Sequence, residues 1–342
     1  MSKAKRIVLF TIGNIDHPSS RIRGIQYIPY LEKEGYRVKW IPRIPPRPKT
    51  KFAKLISFPL GKRWLGVKRL LSILFCKPDF FFIQKIFISP LLLKILVKRN
   101  IPYFFDFDDA IYLDKKNPKS KTLLLYSIQQ ATHVIVSNSV LKEFCKTHGV
   151  DALIITTPID VQRFVPQDKK KNDKPMIIGW IGSYWTTKYL DIISKPLQEI
   201  AKKHKIILRL VGADKNYSIE GVETEHLQWD YSKEPEYLQS FDIGIMPLTA
   251  DEYSEAKGGY KLLMYMAAGI PSIASPVGIN REIIIDDKTG FLAENKENWI
   301  ASIQFFLDKP EKRIIFGKES RRIAEKQYSR EVCFDRMKNI LQ

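Results

Sequence analysis

Phe241–Gly278 reads FDIGIMPLTADEYSEAKGGYKLLMYMAAGIPSIASPVG, and its pattern decides the fold. Two apolar, strand-like runs, Phe241–Leu248 and Pro271–Ser275, bracket a polar loop and a helical run from Tyr260 to Ala268. Gly269 stands where a helix leaves through a left-handed residue, and Pro271 blocks its continuation. A strand, a helix and a second strand in that order make a βαβ unit, which pairs its strands in parallel. Ligands of parallel sheets bind beyond the carboxyl ends of the strands, which here means the loop Thr249–Gly259.

That loop and the helix start carry Lys257 and Lys261. Four residues apart, they share one face if both are helical. Gly258 and Gly259 between them let a ligand approach the backbone. Two ammonium groups beside a helix N-terminus suit a phosphate or diphosphate. The plain alternative is a pair of solvated lysines in a lysine-rich chain. The glycines and the strand-end position favour the anion site.

The segment KGGYKLLMYMAAGIPSIASPVGINREII resembles the nucleotide-sugar site of family 4 glycosyltransferases, and within them a subgroup with a Lys-rich motif. The resemblance implies the GT-B fold, an α/β architecture of two doubly wound Rossmann-like domains facing across a cleft. It also implies a donor that is a nucleotide-sugar, with UDP or GDP expected as carrier. Most of the family has two glutamates eight positions apart, the first near the donor sugar and the second near the ribose. By register these fall on Ala256 and Met264, with Glu255 one residue from the first and nothing replacing the second.

Length and composition agree with two ordinary domains. The chain has 342 residues, 44% of them hydrophobic, enough for real cores. Its three cysteines are far apart and form no CxxC or Cys/His cluster, which argues against a disulfide framework or structural zinc. The opening MSKAKRIVLFTIG reads as a first strand rather than a signal peptide, and no apolar run is long enough to span a membrane. A cytoplasmic protein is therefore expected. The net charge of +19 is uneven. Residues 1–170 hold 31 basic and 12 acidic side chains, a difference of +19, whereas residues 171–342 hold 25 of each. Lys39–Arg99 alone contains 15 basic residues and one acid, Asp79. Such asymmetry points to a polyanionic partner.

In chain order, Arg6–Ile12 reads as a strand. A polar loop follows, then a helix capped at Ser20 and ending at Gly35. The loop HPSSRIRG resembles the subgroup's cleft-facing loop, so Gly13, Arg21 and Arg23 are expected near acceptor or phosphate. His17 reads as an ordinary loop histidine. Pro42–Pro48 cannot be regular helix or central strand. After it, Phe52, Leu55, Ile56, Phe58, Leu60, Trp64, Leu65, Val67, Leu70, Leu71, Ile73, Leu74 and Phe75 are interleaved with Lys and Arg, the pattern of a helix lying in a membrane interface. A domain helix facing the sheet explains the periodicity equally well, but not the near absence of acids. FDFDDAIYL places Asp106, Asp108 and Asp109 at a strand end. Three carboxylates suggest a divalent metal. GT-B enzymes generally need none, so Asp108 and Asp109 are read as structural or acceptor-positioning groups, with no metal expected. Six βα steps pass without GxGxxG, against a classical NAD site.

TTPIDVQRFVPQDKKKNDKP reads as the connection between an acceptor domain, 1–165, and a donor domain, 174–327, with a last helix at about 328–342 returning to the first. In the second domain Gly182 and Ser183 form a turn whose main-chain N–H groups suit a phosphate. By resemblance Lys188 contacts the donor diphosphate, and the turn at Trp229–Tyr231 receives the base. Lys188, Lys257, Lys261 and Glu255 are the catalytic candidates. Gly182, Ser183, Trp229, Tyr231, Gly258, Gly259 and Met264 are the donor-binding ones. The expected reaction is retaining sugar transfer to a hydroxyl, without cofactor, onto a glycan or lipid-linked acceptor at the inner face of the cell membrane. Two rivals remain: a nucleotide-sugar epimerase of the same fold, and a basic nucleic-acid or polyanion-binding module, for which no recognition motif is seen.

Overall fold

The computed structural model describes residues 5–46, 51–167 and 175–341, without the side chains of 51–57. The Lys/Asp run of the linker, and the side chains of Phe52, Leu55 and Ile56 in the amphipathic segment, lie outside the described residues. By contact the chain forms two compact units. The first is Met1–Pro158 with Ala256–Gly258 and Cys333–Gln342, and the second is Ile159–Glu255 with Gly259–Val332.

In the first unit, β1 (Arg6–Thr11), β2 (Arg37–Pro42), β3 (Phe80–Gln84), β4 (Tyr103–Phe107), β5 (His133–Val136) and β6 (Ala152–Ile154) alternate with helices. These are α1 (Pro18–Arg23), α2 (Ile28–Lys33), α3 (Lys51–Phe75), α4 (Pro90–Lys98), α5 (Ser120–Gln129) and α6 (Ser139–Thr147). All strands pair in parallel in the order β2-β1-β3-β4-β5-β6. Every residue of FFFIQ and YFFDF is buried, as helices on both faces of a parallel sheet demand. The chain reverses direction across the sheet between β1 and β3, so the loops after those strands diverge and leave a crevice.

The second unit contains β7 (Met176–Ile181), β8 (Ile206–Val211), β9 (Glu223–Leu227), β10 (Ile243–Met246), β11 (Ser272–Ala274) and β12 (Gly290–Leu292). Its order, β12-β11-β10-β7-β8-β9, is the Rossmann order, with its switch point between β7 and β10. The helices are α7 (Ser194–Ala201), α8 (Glu234–Gln239), α9 (Glu252–Glu255), α10 (Tyr260–Ala267), α11 (Asn280–Ile283), α12 (Lys296–Asp308) and α13 (Pro310–Ile323). The last helix, α14 (Arg330–Lys338), buries Cys333, Phe334 and Met337 in the first unit's core beside Ile7, Leu9 and Phe80.

Three elements differ from the sequence reading. The expected single helix to Glu34 is broken at Gly24 into α1, a 3-10 turn and α2, and Pro29 opens α2. The helix expected from Tyr189 begins earlier, as a 3-10 helix over Tyr184–Ile193. Pro196, which lacks an N–H, sits in the first turn of α7, where none is needed. The loop Thr249–Gly259 contains the short helix α9.

Helix α3 has two apolar faces. Leu65 and Ile73 pack into the core of the first unit. Leu60, Trp64, Val67, Leu71 and Phe75 recur every three or four residues along the opposite face and are exposed, Trp64 at 58% and Phe75 at 73%. The helix holds no acidic residue.

Candidate functional site

The carboxyl edge of the first sheet is a network of paired charges. Arg23 donates from Nε to both carboxylate oxygens of Asp106, at 3.0 and 3.1 Å, and from Nη1 to Ile155 O at 2.6 Å. An Arg23 Nη2–Asp106 Oδ2 ion pair completes the fork. Burial by itself lowers the guanidinium pKa, but Asp106 outweighs it and holds Arg23 charged. Arg23 was expected to reach a ligand. With its side chain 2% exposed and its donors engaged, it holds the first unit together instead. Arg21 donates to Ile15 O at 2.9 Å and steadies its own loop. Ser20 is not a cap either: His17 occupies the N-cap of α1, and Ser20 Oγ accepts from Gly13 N–H at 2.9 Å.

Asp108 and Asp109 share one cation that the sequence reading passed over. Lys85 Nζ lies 2.8 Å from Asp108 Oδ1 and 2.6 Å from Asp109 Oδ2. Lys85 follows β3 at the switch point and adopts φ = 53°, a left-handed backbone that non-glycine residues rarely take. Ser19 Oγ donates to Asp108 at 2.9 Å, and Gln84 Nε2 donates to Ser19 at 2.9 Å. Burial raises the Asp108 pKa, but the charges of Lys85 and Arg23 lower it further, so the carboxyl stays ionised. The sequence signal for Lys85 was its position: a cation at the end of one strand beside an acidic motif at the end of its neighbour. His17 faces the same cluster. Burial, then Lys85, lowers its pKa, and its Nδ1 is buried with no hydrogen-bond partner in the described structure.

Ala256–Gly258, assigned to this unit, is held by Asn138. Its Nδ2 donates to Ala256 O at 3.0 Å and to Lys257 O at 3.2 Å, while its Oδ1 caps α6. A side chain at Gly258 would meet Thr157 Oγ1 at 2.7 Å. Lys257 and Lys261 therefore do not share a helical face. α10 starts only at Tyr260, after Gly259 has turned the backbone through φ = 66°.

In the second unit Gly182 and the segment Thr249–Glu255 follow β7 and β10, the two strands of the switch point. Lys261 Nζ lies over the face of Trp180, 4.1 Å from its centroid. An added Cβ at Gly182 would come within 2.3 Å of the Trp180 ring and 2.7 Å of the same Nζ, so only glycine fits against this pair. The main-chain donors expected at this turn are used internally. Gly182 N–H donates to Val211 O at 3.0 Å, and Ser183 N–H to Thr186 Oγ1 at 3.2 Å. Lys188 is exposed on the 3-10 helix that follows. Glu255 is gripped by Arg281, at 2.9 and 3.1 Å, and accepts from Gly278 N–H at 2.7 Å. Hydrogen bonding to Arg281 is the main cause that lowers its pKa. Met264 is buried in the apolar core of this unit.

At the Trp229–Tyr231 turn, Trp229 Nε1 donates to Glu234 Oε1 at 2.9 Å. Arg163 stacks on Tyr231 at 3.5 Å and pairs with Glu234 at 3.2 Å. Arg163 belongs to the linker string IDVQRFVP, and nothing in that string announced its role here. Among the described residues no group of His, Cys, Asp and Glu is arranged to hold a metal.

Residues 161–323 match the family model described as Glycosyl transferases group 1. No curated protein is significantly similar in sequence. Among solved structures the chain is similar to sucrose-phosphate synthase from Thermosynechococcus elongatus, with a TM-score of 0.70, 16% identity and 98% of each chain covered. It is also similar to HepE from Anabaena, solved in complex with UDP-glucose (TM-score 0.69, 12% identity, 98% of this chain and 99% of that one). A third is a glycosyltransferase from Rickettsia africae ESF-5 (TM-score 0.71, 13% identity, 98% of this chain and 97% of that one). The likeness establishes the GT-B fold, an α/β architecture of two Rossmann-like domains.

Proposed function

We propose that the chain transfers a sugar from a nucleotide-sugar to a hydroxyl of a glycan or lipid-linked acceptor. The observation that carries this is Lys261, its ammonium set over Trp180 and against Gly182 at the switch point of a Rossmann-ordered sheet. A cation beside a glycine and a helix start suits a diphosphate. That region lies inside the segment matching the glycosyltransferase model. In the reaction the bond from the sugar's anomeric carbon to the diphosphate oxygen breaks and a bond to the acceptor oxygen forms. The acceptor proton passes to the departing diphosphate, and configuration is retained. Lys188 and Lys261 stabilise the leaving charge, the service a divalent ion provides in other transferases. UDP is the favoured carrier, since the similar Anabaena protein was solved with UDP-glucose.

The first unit is proposed to hold the acceptor and to rest on an anionic membrane surface. The exposed stripe Leu60, Trp64, Val67, Leu71 and Phe75 supports this, flanked by exposed Lys62, Arg63 and Lys68. Three such cations contribute about 3 kcal/mol at an anionic leaflet, before any side-chain insertion. Among the described residues no helix is long and apolar enough to cross a membrane.

Calorimetric titration with UDP-, GDP- and CDP-sugars, followed by product analysis with and without acceptor, tests the reaction. Binding of one donor with slow hydrolysis is expected. Epimerised nucleotide-sugar without acceptor would favour the epimerase, and the absence of any donor binding would remove the proposal. Flotation with neutral and anionic vesicles tests the location. Recovery should require anionic lipid, fall with salt, and fall again in Trp64→Ser with Phe75→Ser.

A further inference from the structure

We propose that the loop after β7 carries a separate carbohydrate subsite, in which a pyranose ring of a glycan stacks on Trp185. Trp185 is 81% exposed and Tyr184 is 56% exposed. Their rings meet edge to face at 5.3 Å, so each braces the other. With Lys188, Asp191, Asp214 and Asn216 they line a recess of about 420 Å³. That is the size and the mixture of aromatic wall and few polar groups that small-ligand sites use.

The recess is built rather than incidental. Ser183 and Thr186 bond reciprocally and fix the start of the aromatic loop. On the other side, Asp214 N–H donates to Thr187 Oγ1 at 2.9 Å, and Asp214 Oδ1 accepts from Asn216 N–H at 3.0 Å. Two loops, one after β7 and one after β8, are thereby tied together around the recess.

The lining chemistry selects the ligand. One face of a pyranose is a patch of C–H groups that packs on an indole, and its rim carries hydroxyls. An ionised carboxylate only accepts, through two oxygens, and so takes two neighbouring hydroxyls. Asp191 and Asp214 supply two such groups, which suit the hydroxyls of a neutral sugar. Lys188, the third charged group of the lining, is the one proposed above to meet the donor diphosphate, so Trp185 and the two carboxylates define the sugar contact. The assignment rests on these residues and not on the transfer reaction, because binding is read without any nucleotide.

Saturation-transfer NMR on the full chain tests it, with the methyl α-glycosides of glucose, galactose, mannose and N-acetylglucosamine as probes. At least one should receive saturation, most strongly at ring C–H protons, and should keep it when UDP-glucose is added. Trp185→Ala should weaken that binding about fivefold to tenfold, as loss of an aromatic contact does. Asp214→Asn should weaken it independently. Trp185 is exposed, and asparagine at 214 keeps an Oδ1 to accept from Asn216 N–H, so the melting temperature should hold. The proposal is overturned if none of the four probes receives saturation, if the signal survives both substitutions unchanged, or if UDP-glucose displaces the glycoside. The last result would give Trp185 to the donor.

Discussion

The carboxyl edges of the two sheets solve opposite problems. In the first unit, Arg23 and Lys85 are paired with Asp106, Asp108 and Asp109 within a few ångströms and mostly out of water. In the second, Lys261 lies against an aromatic face and a glycine, and Lys188 stands in solvent. Charges consumed internally fix geometry. In the proposed reading, Lys261 acts on an anion brought from outside. A lysine near a switch point is therefore no guide to function until its surroundings are known: Lys85 follows β3 directly and pairs with two carboxylates, whereas Lys261 lies in the first turn of α10 over Trp180.

The comparison breaks first at Arg23. Asp106→Ala leaves a buried guanidinium unpaired and should cost about 3–5 kcal/mol of stability, read by urea unfolding. Replacing both partners by apolar residues should recover most of it. A loss under about 1 kcal/mol for the single variant would mean the pair is not dry.

Lys261→Ala should do the reverse, lowering kcat by roughly 10²–10³ while the melting temperature holds, by analogy with the loss of one oxyanion donor. Normal kinetics would remove the lysine from the site.

Lys85→Met falls between the two, at about 1–3 kcal/mol, because it strands a buried carboxylate. It also carries a pH signature. The Asp108 pKa is depressed in the folded chain, so its ionisation adds stability that is present above the unfolded pKa and lost as pH falls through the folded one. Without Lys85, burial dominates and the folded pKa rises. Acid unfolding should then begin at a higher pH than in the parent chain. An unmoved acid limb in thermal melts would contradict this.

The smallest effect belongs to Glu255. Its Arg281 partner is half exposed, so a double-mutant cycle of Glu255→Gln and Arg281→Met should give a coupling under about 1 kcal/mol. A larger value would make Glu255 a structural anchor and weaken its candidacy as a donor-sugar contact.

Local pattern made the architecture legible. The runs RIVLFT, FFFIQ, YFFDF, MIIGWI and IILRLV are strands because continuous apolar residues have nowhere to go except a sheet covered on both faces. Gly259 and Gly269 mark turns because their backbones are left-handed, which is a property of one residue. The surplus of cations in the first half was also a matter of counting. What the sequence could not decide was which polar groups meet. Lys85 is bracketed by Asp108 and Asp109 only because β3 and β4 lie side by side. Arg23 reads like Arg21 in the string SRIR. It is buried because α1 turns it under the sheet edge toward Asp106, 83 residues on. The amides of Gly182 and Ser183 looked available until a neighbouring strand and a threonine took them. Secondary structure follows from preferences that each residue carries along the chain, whereas the pairing of charges and the occupancy of donors depend on distances that only the folded chain sets.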